Sequence, residues 1–390
     1  MDASLHDWLS QTRRHLHAHP ELSGQELETT AFVKKALKDL GAEVLDYRGP
    51  TGVVGLIRGA GPGPVIGLRA DMDALPLQEM NQCAYRSQRD GVMHACGHDA
   101  HTAMLLGVAR EICRGGKLGN FRGAVKLIFQ PAEENGTGAA QMIGRGVLDN
   151  PHVDQVFACH MTPETPVGTV RVFGAQGYAS NDHFKVSVNG QGSHGARPEE
   201  SRDPLVAAVH LAAAVQTIVA RNVKPTEAAV ISVCRFQSGT GYNLIPQEAV
   251  LEGTLRALKP KVRDLLIQRL EDMCASLGGM FQVECFLEML EHIPACNNDP
   301  EAGAIVHKAA GEVVGPEAVI QTPPIMGSED FSHFTAARPS AIFQLGGANP
   351  DKGIRASLHN PYFDIDEAAL PLGVQVFLHI LRNQLSLERA

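Results

Sequence analysis

The run M-H-A-C-G-H-D-A-H at residues 93–101 places three histidines, a cysteine and an aspartate within nine positions. Cys96 and His98 offer a thiolate and an imidazole, both good ligands for a divalent metal ion. Gly97 between them lets the backbone turn so that both side chains can face one ion. Short Cys/His clusters also arise without metal, so the run alone leaves a polar loop as the alternative reading. Its position is more informative. An Ala/Leu-rich helical pattern occupies residues 102–112 and a buried strand pattern residues 124–129. The run is the loop ahead of a helix in a strand–loop–helix series through residues 50–160. That series predicts an α/β layer, a mixed sheet flanked by helices, with a site along one sheet edge.

Upstream, Leu5, Trp8, Leu9 and Leu16 predict an amphipathic helix ending near His19-Pro20. Ser23 and Glu26 have capping-box spacing, and Gly41 closes the helix that follows. Residues 53–57 and 65–68 are short β-rich runs joined by Gly59-Ala60-Gly61-Pro62-Gly63, a pattern that reads as a hairpin. The second run delivers Arg69, Asp71 and Asp73 at its carboxyl end. Downstream, the strand at 124–129 leads into Gln130-Pro131-Ala132-Glu133-Glu134. Adjacent carboxylates at a strand end repel unless a cation or a proton is shared, although an acidic helix start gives the same pattern. A strand at 155–158 then ends at Cys159-His160-Met161, again setting a potential ligand after a buried run.

At 390 residues the chain is expected to hold two domains. From residue 177 the texture changes to the order β-α-β-β-α-β, which predicts a ferredoxin-like α+β domain over residues 177–291. It is inserted within the first domain, which spans 1–176 and resumes at 292–390. A net charge of −9 argues against a nucleic-acid or anionic-membrane binder. The longest apolar run, residues 205–220, is interrupted by His210, Gln216 and Thr217 and suits a buried helix. No basic region with an apolar core opens the chain, and eight scattered cysteines suit a reducing cytoplasm.

Cys96, His98, Glu134, His160 and His359 make five candidate ligands of mixed N, O and S type. One catalytic zinc takes three protein ligands, so five suit two metals sharing a bridging ligand and a water. Glu133, beside Glu134, is the natural general base for that water. Asp71 or Asp99 is placed to orient a ligand histidine. Mixed Cys/His/Glu ligation accepts manganese or zinc, and also cobalt or nickel.

The motifs R-A-D-M-D-A-L-P (69–76), H-A-C-G-H-D-A-H (94–101), Q-P-A-E-E (130–134), G-S-H (192–194), N-L-I-P (243–246), M-G-S-E-D-F (326–331) and L-H-N-P (358–361) together resemble one family. It is the dinuclear metal-dependent aminoacylase/carboxypeptidase family, in the subgroup of hippurate hydrolases and N-acyl-amino-acid amidohydrolases. The resemblance runs nearly end to end. It implies the same five metal ligands and Glu133 as base. It also implies that the inserted domain is a lid carrying His194, which polarises the scissile carbonyl, and Asn243, which contacts substrate. A homodimer through the lid domain is implied too, as is a small N-acyl amino acid substrate. Two departures bear on pocket shape: Arg197-Pro198 leads into Glu199-Glu200, and Asn135-Gly136-Thr137-Gly138 stands where relatives are often all glycine.

Competing readings use fewer of these residues. A dipeptidase or an N-acetyl-diaminopimelate-type deacetylase would share the mechanism. Thiol catalysis by Cys96 leaves Glu134, His160 and His359 without roles. A zinc nucleobase deaminase needs H-x-E followed by P-C-x-x-C, which the sequence lacks. A binding protein that only retains the metal has no use for Glu133.

Overall fold

A computed structural model describes residues 3–114, 116 and 120–385. The chain divides into two units, one of Met1–Ala175, Asn297–Pro323 and Asp330–Ala390, the other of Gln176–Cys296 and Pro324–Glu329. The first unit opens with α1 (Ala3–Ala18), α2 (Leu27–Leu40), β1 (Glu43–Val44), β2 (Val53–Arg58), β3 (Val65–Asp71) and α3 (His98–Cys113). Then come β4 (Ala124–Gln130), α4 (Gly138–Gly144), β5 (Gln155–Pro166) and β6 (Val170–Phe173). The second unit supplies β7 (Gln176–Tyr178), β8 (Asn181–Asn189), β9 (Ser193–His194), α5 (Pro204–Ala214), α6 (Gln216–Asn222) and β10 (Ala229–Ser238). It continues with β11 (Leu244–Ile245), β12 (Glu248–Ala257), α7 (Pro260–Phe281) and β13 (Glu284–Ile293). After β14 (Cys296–Asn297) the chain adds α8 (Pro300–Val314), β15 (Val319–Thr322), α9 (Ser332–Ala337), β16 (Ser340–Ala348) and α10 (Ala369–Gln384).

The first unit is an α/β layer on a mixed sheet of order β1-β2-β4-β3-β5-β16-β6-β15. Its central strands β4, β3, β5 and β16 run parallel. β4 and β16 are buried along their whole length, as parallel strands covered on both faces must be. Val125, Leu127 and Phe129 of β4 enter the core shared with α1, α2, α3, α8 and α10. The alternating residue Lys126 points the other way and donates to the carbonyls of Val147 and Pro151, both at 2.8 Å.

Four local expectations are corrected. The glycine-rich segment 59–63 does not close a hairpin, because β4 lies between β2 and β3. β2 pairs antiparallel with β4 (Val53↔Phe129) and β3 pairs parallel with it (Val65↔Ala124). β4 is buried along its whole length and pairs on both edges, and that non-local burial overrides the short connection. Nor is Ser23 a helix cap. Its hydroxyl donates to Asp73 Oδ2 at 2.7 Å, while Glu26 Oε1 accepts from the amides of Gly24 (2.9 Å) and Ala132 (2.8 Å). α3 begins at His98 rather than at residue 102, so a candidate ligand stands in its first turn. β5 runs on to Pro166 because β16 pairs with it from Val156 to Pro166, which puts His160 inside a strand. Gly41 does close α2, in a left-handed conformation.

The second unit has the antiparallel order β10-β12-β8-β13, the arrangement of a ferredoxin-like fold. Asp203 caps α5 by accepting from the amides of Leu205 (2.9 Å) and Val206 (3.2 Å). The stretch Pro204–Asn222 is long and apolar enough to cross a membrane by composition. It is divided at Val215 into two helices, and Ala207, Ala208, Leu211 and Ile218 enter the second core.

The first unit also buries a charged cluster behind α3. Arg13, fully buried, donates to Asp99 Oδ2 at 2.8 Å and to Asp364 Oδ1 at 2.7 Å. His17 faces Asp99 Oδ2 through Nδ1 (2.8 Å) and Glu79 Oε1 through Nε2 (3.2 Å). Burial and the Arg13 guanidinium push this imidazole down, but the bonds to Asp99 and Glu79 outweigh them and leave its pKa raised. With carboxylates at both nitrogens, the ring is a buried imidazolium. Its stabilising share is complete below the unfolded value of about 6.5 and is lost as pH rises through the folded value. His17→Gln should therefore cost about 3 kcal/mol at pH 5.5 and clearly less at pH 9, by urea unfolding. An equal loss at both pH values would rule out a charged His17.

Candidate metal centre

The parallel strands end on one edge, where loops collect donors from distant parts of the first unit. Gly97 adopts φ 88° ahead of α3, and a Cβ there would stand 3.0 Å from Met161 Cβ. Only glycine takes that turn, and it sets Cys96, His98 and His160 with donor atoms within 4.8 Å of one another. Cys96, Glu134 and His359 form a second such group, and His98, Glu133 and Glu134 a third. All five ligands expected from the sequence thus converge, with Glu133 beside them.

Hydrogen bonds fix which way the imidazoles present their lone pairs. His98 Nδ1 donates to the Asp73 carbonyl at 2.9 Å and lies 3.2 Å from Asp73 Oδ1. In the neutral ring its Nε2 bears the lone pair, 3.8 Å from Glu134 Oε1, 3.9 Å from Glu133 Oε2 and 3.7 Å from Asp71 Oδ2. His160 Nδ1 donates to the Met161 carbonyl at 2.7 Å, which leaves Nε2 to face Cys96 Sγ at 3.5 Å. His359 Nε2 lies 3.5 Å from Glu134 Oε2, and its backbone, at φ 58°, is anchored by an amide bond to Ala95 O (2.8 Å).

The nitrogen–oxygen separations among these groups are long for hydrogen bonds, while the Cys96–His160 contact is of ordinary length for sulfur. They match the roughly 3–4 Å expected between neighbouring ligands on one ion. His98 Nε2 and Glu134 Oε1 are buried without a hydrogen-bond partner. Lone pairs facing one another in a buried site repel unless positive charge stands between them. The donor set therefore fits divalent cations.

The titration of the centre expresses the same demand. Burial, reinforced by Glu134, raises the Cys96 thiol well above its ordinary range. Burial lifts Glu134 to about 7 despite His98. Burial and His101 lower His160 to about 3, so it is the neutral, ligating form. Burial pulls His98 down but Asp71 and Cys96 raise it further, well above its usual value, so without a cation a proton on Nε2 offsets the surrounding carboxylates, in the place a metal would take.

Asp73 was not singled out from the sequence, yet it is the orienting carboxylate. Besides His98 it accepts from the Glu134 amide at 2.9 Å and from Ser23. Asp71 and Asp99, the residues expected in that role, do otherwise. Asp71 Oδ1 holds His101 Nδ1 at 2.5 Å, and His101 Nε2 accepts from the Met161 amide at 2.7 Å. Asp99 belongs to the Arg13–His17 cluster. The only sequence signal was the spacing of Asp71 and Asp73, two apart after a strand, which does not say which carboxylate serves His98. His194 and Asn243 lie in the second unit, where β9 pairs with β11 (His194↔Leu244) and Asn243 O accepts from the Gly195 amide at 2.8 Å. Both are exposed.

The family model of peptidase family M20/M25/M40 matches residues 67–383. Thermostable carboxypeptidase 1 of Saccharolobus solfataricus is 39% identical over 95% of this chain and 93% of its own length. N-acetyl-L-cysteine deacetylase of Bacillus subtilis is 38% identical over 94% of this chain and 86% of its own length. Among solved structures, a dinuclear metal-binding peptidase of the M20 family from Bacillus subtilis superposes with a TM-score of 0.85 at 32% identity, over 98% of this chain and 99% of that one. With its buried donors converging on one sheet edge, the chain belongs to peptidase family M20/M25/M40 and is a metal-dependent hydrolase of amide or peptide bonds.

Proposed function

We propose that this enzyme hydrolyses the amide bond of N-acyl amino acids, with hippurate-like and N-acetyl conjugates as the substrate class. The observation that carries the reading is the pair of buried, partnerless atoms His98 Nε2 and Glu134 Oε1 beside the Glu133 carboxylate. Cys96, His98, Glu134, His160 and His359 would hold two divalent cations, manganese or zinc, with cobalt or nickel accepted by the same donors. Cations bound there supply Lewis-acid polarisation of the amide carbonyl and make water acidic enough to attack near neutral pH. Glu133, largely buried, takes up the proton of the attacking water and returns it to the leaving nitrogen. Asp73 keeps the His98 proton on Nδ1, so that Nε2 stays a ligand. His194, from the second unit, donates to the carbonyl oxygen as it gains charge, and Asn243 contacts the substrate. A homodimer assembled through the second unit is part of this reading, as is a reducing, cytoplasmic setting, which eight cysteines scattered along the chain suit.

The carboxypeptidase relative supports a second reading, hydrolysis of a dipeptide by the same groups. A diaminopimelate-type deacetylase differs only in substrate. Thiol catalysis by Cys96 gains nothing, because burial and Glu134 keep that sulfur protonated. A panel of N-acyl amino acids and dipeptides with defined metals distinguishes the substrate classes.

Chelation should abolish hydrolysis, and Mn²⁺ or Zn²⁺ should restore it; full turnover by metal-free protein would end the proposal and revive Cys96. Glu133→Gln should keep its metal content, by elemental analysis, and lose about 10²–10⁴ in kcat. Near-parental turnover would remove Glu133 as the base. His194→Ala should lower kcat by about 10²–10³ with metal content unchanged. If metal is lost instead, His194 is a ligand and not a carbonyl donor.

A further inference from the structure

We infer that Asp330 is a positioning residue that pins both ends of the loop carrying Glu133 and Glu134. The inference rests on the functional reading above for what those carboxylates do, and on geometry alone for the pin. The loop leaves β4 at Gln130 and enters α4 by Ala139. Before it, Gln130 Nε2 donates to both oxygens of Asp330, at 2.8 Å each. After it, the Ala139 amide donates to Asp330 Oδ2 at 3.0 Å. One carboxylate, 191 residues further along the chain than Ala139, therefore joins the two sides of the loop.

The pin is tied to the sheet by Arg69. Its Nη2 donates to Asp330 Oδ1 at 2.9 Å, its Nε to Gln130 Oε1 at 2.8 Å and its Nη1 to Asp71 Oδ2 at 2.7 Å. Arg69, Gln130, Asp71 and Asp330 are all buried, so water does not compete for these bonds. The loop is also closed on itself. The amides of Thr137 and Gly138 donate to Ala132 O at 3.2 and 3.1 Å, and a Cβ on Gly138 would stand 1.6 Å from Pro131 O. Those local bonds shape the loop, and Glu26 and Asp73 hold amides within it, at Ala132 (2.8 Å) and Glu134 (2.9 Å). Among the described residues Asp330 alone joins its two ends, and it shares Arg69 with Asp71, whose Oδ2 lies 3.7 Å from His98 Nε2.

The chemistry demands a carboxylate at 330. Arg69, Gln130 and Ala139 all present N–H groups to it, so both oxygens must accept. An asparagine would set an N–H against one of these donors and release one end of the loop. A displacement of about 1 Å in a reacting group can cost about 100-fold in rate.

The test is Asp330→Asn in the full chain, with Gln130→Met beside it. The second variant removes the bridge ahead of the loop and keeps the Arg69–Asp330 ion pair, so it decides the matter if Asp330→Asn does not fold. In metal-free protein, hydrogen exchange of residues 133–139 should quicken about tenfold or more while the β4 amides hold their protection. With Mn²⁺ in excess and an N-acyl amino acid that the parent hydrolyses, kcat should fall about 100-fold for Asp330→Asn. KM should stay within about threefold. Parental exchange in the loop and near-parental kcat in a folded variant would overturn the inference. So would exchange that quickens evenly across the sheet, since Asp330 would then be a structural residue only. If the parent hydrolyses no N-acyl amino acid or dipeptide, the functional reading fails, and the exchange experiment still judges the pin.

Discussion

Metal-ligating atom types that crowd within 4 Å of one another, most of them buried, constrain everything else in this molecule. Glu134, His160, His359 and the Cys96–His98 pair come from four separate segments, and their donor atoms are brought within 4.8 Å of one another in overlapping groups. A fold that brings such atoms together pays in desolvation and repulsion unless positive charge arrives. The parallel strands supply the rigidity that keeps the donors from relaxing apart. β4 and β16 are buried end to end, and the α3 helix that begins at His98 is buried along nearly all its length.

Around that centre the acidic side chains are sorted by partner. Asp73 serves His98 and the Glu134 amide, Asp71 serves His101 and Arg69, and Asp99 serves Arg13 and His17. Each carboxylate has a cationic or N–H partner within hydrogen-bond reach. That condition lets charges persist in an apolar interior, where removing one member of a pair costs about 3–5 kcal/mol. Arg13 and Arg69 are the fixed cations of this scheme, and both are fully desolvated. Arginine suits the role because its fork reaches two carboxylates at once and does not lose its proton.

Residue types at strand ends were legible in the sequence, and connectivity between distant strands was not. Cys96, His98, Glu134, His160 and His359 stood out because a thiolate, imidazoles and a carboxylate following buried runs have few other uses. The order β-α-β-β-α-β of the second unit was likewise carried by local alternation and by Asp203-Pro204 at a helix start. The glycine-rich segment 59–63 misled because turn chemistry is local, whereas the place of β4 between β2 and β3 depends on burial contributed by residues some sixty positions away. Ser23 misled for a related reason: its hydroxyl serves Asp73, a partner that becomes available only when the sheet has formed. Asp73 itself was hidden by its neighbour Asp71, since a spacing of two cannot say which carboxylate meets the imidazole.

Cys96 shows how one environment decides between two chemistries. A thiol nucleophile needs an electropositive, accessible setting that lowers its pKa. Cys96 has the reverse, full burial with Glu134 and Glu133 nearby, both of which hold the proton on sulfur. The same surroundings favour a soft ligand, because a divalent cation drawn in by those carboxylates is the one charge strong enough to displace that proton. The thiol is thus poorly placed to act as a nucleophile and, under the proposed function, becomes a ligand once a cation is bound. A cysteine beside histidines therefore favours a metal over a nucleophile here, and what favours it is the sign of the charge that surrounds it.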